Sequence, residues 1–250
     1  MTAGDIVLEA RDVSVHFGGL KAVDGMDIEV RRSSVTGLMG PNGAGKTTFF
    51  NTLSGHQETV SGVVSLEGED VTHLAAHARA KLGIARTFQL GGLVDDLTVL
   101  ENVALGVDHF GRIAGNSVGR QETRARARKW VETFGLGDVV DRIGGDLGAG
   151  LRRKAEIART LAAGAHVVLL DEPAAGLSKA EREDLTVTLR EIAEQGKAVL
   201  VTDHSTDFLF ASADEVVVMN FGTYLFEGTP EEVQKHPDVI RAYLGGGPDA

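Results

Sequence analysis

In the first third of the chain, short apolar runs recur at Ile6 to Leu8, Val13 to Phe17, Met26 to Val30, Val35 to Met39 and Val63 to Leu66, separated by polar stretches or glycine turns. Runs of this length bounded by turn residues read as strands, and their succession predicts a small, partly antiparallel sheet. From about Ala75 to Ala163 the apolar spacing changes to three and four, with Glu101 to Leu105, Arg120 to Phe134 and Arg152 to Leu161 predicted as helices of a separate lobe spanning about residues 90–163. Trp130 and Phe134, one helical turn apart, read as core of that lobe. Two β-rich runs follow, Val167 to Leu170 and Ala198 to Thr202, with a polar helix from Lys179 to Glu194 between them. Strand, helix and strand at this length predict a βαβ unit in a parallel sheet. Thr229-Pro230-Glu231-Glu232 carries the cap residue, the proline and the glutamate of a helix start, and the glycine-rich tail from Gly245 to Ala250 is expected to fray. At 250 residues the chain is expected to form one α/β domain, residues 1–250.

Composition narrows the chemistry. A net charge of −11 leaves no broad basic face, so nucleic acid is not an expected partner. The absence of cysteine removes disulfides and thiolate metal sites. No stretch approaches the ~18 uninterrupted apolar residues of a membrane span, and the first residues carry no signal-peptide core. The chain reads as soluble, so service to a membrane would require docking on a separate membrane subunit.

The strand-like run Val35 to Met39 leads into Gly40-Pro41-Asn42-Gly43-Ala44-Gly45-Lys46-Thr47-Thr48, and helix-like Phe49, Phe50 and Leu53 follow. This is the context of a phosphate-binding loop, in which glycines let successive N–H groups turn inward on a phosphate. Asn42 to Thr48 are the candidate ATP-binding residues. Lys46 would neutralise phosphate oxygens and Thr47 would supply a hydroxyl to Mg²⁺. Val167 to Leu170 runs into Asp171 and Glu172, at the end of a strand, where open α/β sheets collect ligands. Asp171 is the candidate to hold Mg²⁺ through water, and Glu172 the candidate to polarise an attacking water.

In this order the motifs resemble the ATP-binding subunits of ABC transporters, and the likeness runs from Leu8 to Leu244. It implies a phosphate-loop ATPase fold with a RecA-like parallel core, a small antiparallel β subdomain and a helical subdomain. It also implies that Phe17 stacks on adenine, that Gln89 in Arg86-Thr87-Phe88-Gln89 contacts metal and water, that Ala174 to Ser178 crosses a dimer interface, and that His204 reaches the γ-phosphate. Phe17 to Val23, Arg86 to Gln89, Leu97 to Val103 and the ending Ala242-Tyr243-Leu244-Gly245 are similar to the branched-chain amino-acid importers of that group. A His-Ala-Arg-Ala run at His77 to Ala80 is shared with lipopolysaccharide-export ATPases. The partners implied are transmembrane permease subunits, a second ATP-binding subunit and, indirectly, a solute-binding protein, with the chain held at the cytoplasmic face of the membrane.

One motif departs from the pattern. The family signature reads Leu-Ser-Gly-Gly-Gln or Leu-Ser-Tyr-Gly-Gln, whereas this chain has Leu147-Gly148-Ala149-Gly150-Leu151. What remains is a helix N-terminus without the serine hydroxyl. Because each signature in such a dimer completes the partner's site, the departure favours a heterodimer. The alternatives are tolerated variation at Gly148 and Leu151, and, for the whole chain, a non-transport ABC ATPase or a lipopolysaccharide exporter. The alternating run Arg124 to Lys129 reads most simply as a solvated helix face, with contact to an acidic loop of a membrane subunit as its functional alternative.

Overall fold

Alternation along the central strands divides the interior into two cores. Val168 and Leu170 enter one together with Val199, Val201, Val216 and Val218, while Val167 and Leu169 enter the other with Ala198, Leu200, Val217 and Met219. A sheet buried on both faces is built from continuous apolar runs, which is the composition these strands have. The structure, a computed structural model, describes residues 5–87, 92–113 and 118–243.

The first half contains β1 (Ile6–Phe17), β2 (Leu20–Arg31), β3 (Ser34–Met39), α1 (Lys46–Leu53), β4 (Ser61–Leu66), β5 (Glu69–Asp70), α2 (Ala76–Lys81), β6 (Ile84–Arg86), α3 (Val99–Ile113) and α4 (Arg120–Thr133). The second contains α5 (Ala149–Ala162), β7 (Val167–Asp171), α6 (Lys179–Glu194), β8 (Ala198–Thr202), α7 (Thr206–Ser212), β9 (Glu215–Asn220), β10 (Thr223–Gly228), α8 (Pro230–Lys235) and α9 (Pro237–Tyr243). A four-stranded antiparallel sheet has the order β2-β1-β4-β5. A six-stranded sheet has the order β10-β9-β3-β8-β7-β6 and is parallel except for β10. Helix α1 buries Phe49, Phe50 and Leu53 in the core it shares with the antiparallel sheet. Helices α3, α4 and α5 pack on one another and bury Val103, Ala127, Val131, Phe134 and Leu161 in the other.

Several expectations are corrected. Val35 to Met39 is not part of the antiparallel sheet but lies inside the parallel one, between β8 and β9. The runs at Ile6 to Leu8 and Val13 to Phe17 are one strand, bent at Asp12, whose φ is 50° and whose N–H donates to Asp27 Oδ1 at 2.7 Å. The stretch read as wholly helical from Ala75 contains β6, paired to β7 through Ile84, Ala85 and Arg86. The hairpin of β9 and β10 is not foreseen by the sequence reading at all. The boundaries at Lys179, Ala198 and Pro230 agree with expectation, and capping boxes at Ser178–Glu181 and Thr229–Glu232 explain the two helix starts.

Arg79 of the His-Ala-Arg-Ala run is fully buried. Its guanidinium donates to the carbonyls of Thr52 and Leu53 at the end of α1 and to those of Thr72 and Leu74, at 2.8 to 3.0 Å. It therefore closes the phosphate-loop helix. Replacing it with methionine keeps much of the volume and strands these carbonyls in the interior. Arg79→Met is expected to destabilise the chain by about 3 kcal/mol or more, read as a fall of about 6–12 °C in thermal melting. A fall of under about 2 °C would show that water or another donor replaces the guanidinium.

Candidate functional site

Strand β3 lies between β8 and β9 in the parallel sheet, and its C-terminal end runs into the loop from Gly40 to Gly45 that leads to α1. Open α/β sheets bind ligands outside the carboxyl ends of their strands, which is where this loop lies. A Cβ on Gly40 would stand 2.4 Å from Met219 O, and one on Gly45 would stand 2.2 Å from Ala22 O, so backbone alone fits there. Gly45 also has φ 100° and caps α1, and the first α1 bond runs from Phe49 N to Gly45 O at 2.9 Å. The N–H groups ahead of that bond are those an open helix end presents to an anion. Ala44 is buried, whereas Asn42, Gly43 and Thr47 are exposed and Thr48 is half-buried.

Lys46 lies back across this loop, its ammonium donating to Gly40 O at 2.5 Å and Pro41 O at 3.0 Å. Burial pushes its pKa down, and the charges of Glu172 and Asp171 oppose the shift. Lysine and carboxylates thus share one electrostatic site although they come from opposite halves of the chain.

Asp171 ends β7, 2 % exposed. Its Oδ2 accepts from Arg86 at 2.8 Å, while Oδ1 is buried with no partner among the described residues. Glu172 follows with φ 49°, a left-handed conformation costing a non-glycine residue on the order of 1 kcal/mol. Its N–H donates to Thr202 O at 2.8 Å, and its Oε1 lies 2.8 Å from His204 Nε2. The His204 side chain is 57 % exposed, so the pair stands at the mouth of the site. Between Thr202 and His204, Asp203 accepts from Ala174 N and from Ser205 N, each at 2.9 Å. The loop after the carboxylates is thereby fastened to the turn that carries the histidine.

These groups fit a magnesium–nucleotide pair. A buried carboxylate oxygen without a partner is costly unless something bonds to it, and Thr47 offers a hydroxyl in the first turn of α1. No group of three or more His, Cys, Asp or Glu side chains among the described residues could cage a metal alone. Magnesium, which is bound through one or two protein groups with water and phosphate, suits such a sparse set.

Phe17 ends β1 with 51 % of its surface exposed, and the returning strand β2 carries Ala22 over Gly45. Gln89 lies outside the described residues, as do Phe88 and Leu244. Thr87, just before them, is buried, and its N–H donates to Leu169 O at 3.0 Å. In the departed signature, Gly148 caps α5 without a side-chain bond. Glu181 takes over: its Oε1 accepts from Gly150 N at 3.1 Å, while Oε2 closes the capping box of α6 with Ser178. Gly150 is required for this approach, since a Cβ there would stand 2.4 Å from Glu181 Oε1. Residues Arg124 to Lys129 are exposed except for Ala127.

Arg86, Asp203 and Glu181 were not singled out as site residues from the sequence. Arg86 and Asp203 flank recognised motifs, and Glu181 stands at the third position of a predicted helix, but none of these signals names the partner that gives the residue its role.

A family profile described as "ABC transporter" matches residues 23–175, and one described as "Branched-chain amino acid ATP-binding cassette transporter" matches residues 225–249. The high-affinity branched-chain amino acid transport ATP-binding protein BraF of Pseudomonas aeruginosa is 36 % identical over 249 residues, covering 96 % of this chain and 98 % of its own. The lipopolysaccharide export system ATP-binding protein LptB of Haemophilus influenzae is 32 % identical over 239 residues, covering 96 % of this chain and 97 % of its own. Among solved structures, the ADP conformation of an ATP-binding cassette of an ABC transporter aligns with a TM-score of 0.86 at 29 % identity, covering 97 % of this chain and all of that one.

Gly45→Ala forces both a positive φ and an overlap with Ala22 O, so it is expected to weaken nucleotide binding about tenfold or more in a fluorescence titration. Gly43→Ala, with φ 81° and open space around the added methyl, is expected to lose less. Equal losses would show that backbone angle alone, and not the close approach of β2, governs the loop.

Proposed function

This chain belongs to the ABC transporter family of ATP-binding, ATP-hydrolysing subunits, and from that premise we propose that it powers the import of branched-chain amino acids or similar small polar solutes. The single observation that carries the catalytic reading is the convergence, at the ends of β3, β7 and β8, of Lys46, the unpartnered Oδ1 of Asp171 and the Glu172–His204 pair. The importer reading is supported by the relatives named for branched-chain amino acid transport and by the matching C-terminal profile.

In this reading Asn42 to Thr48 bind the phosphates through backbone N–H groups, Lys46 neutralises β and γ oxygens, and Phe17 stacks on the base. Mg²⁺, when bound, neutralises phosphate charge during transfer. Thr47, Gln89 and, through water, Asp171 would hold it. Glu172 orients the attacking water, and His204, 2.8 Å from Glu172 Oε1, holds that carboxylate at one end and faces the γ-phosphate. The protein works from the cytoplasmic face of the membrane beside permease subunits and, indirectly, a solute-binding protein. No helix among the described residues is long and apolar enough to cross a membrane.

The second ATP-binding subunit is a different chain. Support comes from the start of α5, where Gly148 supplies no hydroxyl and Glu181 already takes the Gly150 N–H. The Glu181 carboxylate, held from α6 against the first turn of α5, occupies the positive helix end that a partner's γ-phosphate would otherwise face. The site completed by this signature is therefore slow, whereas this chain's own phosphate loop turns over when the partner brings a full signature. Lipopolysaccharide export is the second reading, favoured by the Haemophilus relative. The His77 to Ala80 run adds little to it, because Arg79 is accounted for by closing α1.

Mg²⁺-dependent hydrolysis by the purified chain is expected to be slow, with self-association on ATP weak by light scattering. Gly148→Ser with Leu151→Gln is expected to raise turnover about tenfold by restoring a charge-assisted contact. Glu172→Gln is expected to lower turnover by about a hundredfold or more. Fast turnover by an unmodified self-dimer would refute the heterodimer, and activity insensitive to Glu172→Gln would refute the assigned base. Cells lacking the chain are expected to lose uptake of labelled leucine, isoleucine and valine, and unchanged uptake would point to another solute.

A further inference from the structure

Arg86 ends the edge strand β6 and is nearly buried, with its side chain 8 % exposed. One terminal nitrogen donates to Asp171 Oδ2 at 2.8 Å, and the other to Asn51 Oδ1 at 2.5 Å and to Ser54 Oγ at 3.3 Å. The guanidinium lies 6.0 Å from the centroid of the Phe50 ring. Asn51 and Phe50 belong to α1 and Ser54 caps its end, so the fork joins the carboxylate after β7 to the helix that begins with Lys46 and Thr47.

The planar fork matters here. Arginine presents donors at fixed angles, so anchoring one arm on α1 determines where the other holds the carboxylate. With Oδ2 held, Asp171 Oδ1 is left as the buried oxygen without a protein partner among the described residues. A buried ion pair is poor evidence of a stabilising role, because apolar residues of the same volume often do as well. An ion pair that leaves one carboxylate oxygen unsatisfied is poorer still. The arrangement is better explained by what the unsatisfied oxygen is held ready for.

We propose that Arg86 is a positioning residue for Mg²⁺, aligning Asp171 against the phosphate-loop helix so that Oδ1 is presented to the ion's hydration shell. The proposal rests on the reading of Asp171 as the metal carboxylate. It also has a sign that simple electrostatics lacks. A fixed cation beside the site repels Mg²⁺, so if Arg86 acted only through its charge, removing it would tighten Mg²⁺ binding. If it acts by alignment, removing it loosens binding.

The test is a titration of Mg²⁺ against the purified full chain with a fluorescent ATP analogue, which reads binding without turnover. Arg86→Lys keeps the charge and loses the fork; Arg86→Gln loses both. Either is expected to raise the half-saturating Mg²⁺ on the order of tenfold, the usual loss when the partner of a metal ligand is removed. Nucleotide affinity in EDTA is expected to stay within about twofold, because the phosphate loop is untouched. Asn51→Ala, which removes one anchor of the fork and leaves the ion pair, is expected to shift Mg²⁺ in the same direction by less, and it carries the test if the Arg86 variants fold poorly by circular dichroism. Arg128→Gln, on the exposed face of α4, serves as the unchanged control. An unchanged or lowered half-saturating Mg²⁺ in folded variants would overturn the proposal while leaving the ATPase reading standing. A wild-type chain that binds the analogue without regard to Mg²⁺ would overturn both.

Discussion

At the phosphate loop three stretches of backbone approach so closely that no side chain fits between them. Gly40 lies against the carbonyl of Met219 in β9, and Gly45 against that of Ala22 in β2. The contacts are stitched by hydrogen bonds: Gly222 N donates to Ala44 O at 2.9 Å, and Asp24 N donates to Gly222 O at 2.8 Å. Since Ala22 belongs to the antiparallel sheet and Met219 to the parallel one, the loop is the joint that fixes one sheet relative to the other. The position of Phe17 at the hairpin end, and the core that α1 fills between the sheets, follow from that joint.

Around the joint, carboxylates fasten motif to motif. Asp203 ties the loop after β7 to the turn after β8, and Glu181 ties the start of α5 to the start of α6. Arg86 ties β6 and Asp171 to α1. Each tie uses at least one charged group, on a backbone donor, an opposite charge or, for Arg86 on α1, the Asn51 amide oxygen, and charge-assisted bonds are the stronger class. Rigid positioning of this kind is what phosphoryl transfer asks of a protein, because there is little covalent work for it to do. Glu172 stands apart in holding a left-handed backbone conformation, which the fixed Thr202 carbonyl and the His204 ring maintain.

The missing signature serine shows how the same physics can redirect a motif. A helix N-terminus needs its N–H groups satisfied, and with glycine at the cap the nearest carboxylate supplies the bond. Glu181 can do so because Gly150 leaves room for it. A local loss at one end of the helical layer is thus met by a side chain from the neighbouring α6, and the anion-attracting end of α5 is altered in charge as well as in shape.

The sequence by itself determined whatever depends on near neighbours. The phosphate loop is legible because Gly43 and Gly45 need positive φ, and the starts of α6 and α8 because Ser178 and Thr229 find their cap partners three residues on. The run into Asp171 and Glu172 is legible because a buried strand must end where its carboxylates can reach a ligand. Sheet membership was decided only by tertiary structure. Val35 to Met39 looks like the strands before it, yet it pairs with β8 and β9, more than 150 residues away by number, as the registers Ser34 with Ala198 and Thr36 with Glu215 record. Arg86 and Asp171 stand 85 positions apart, and Glu181 and Gly150 stand 31 apart. An apolar run states that it will be buried, and a charged residue states that it will need a partner. Which neighbour answers is settled only when both cores close, because pairing is a property of the packed chain and leaves no mark at the spacing of adjacent residues.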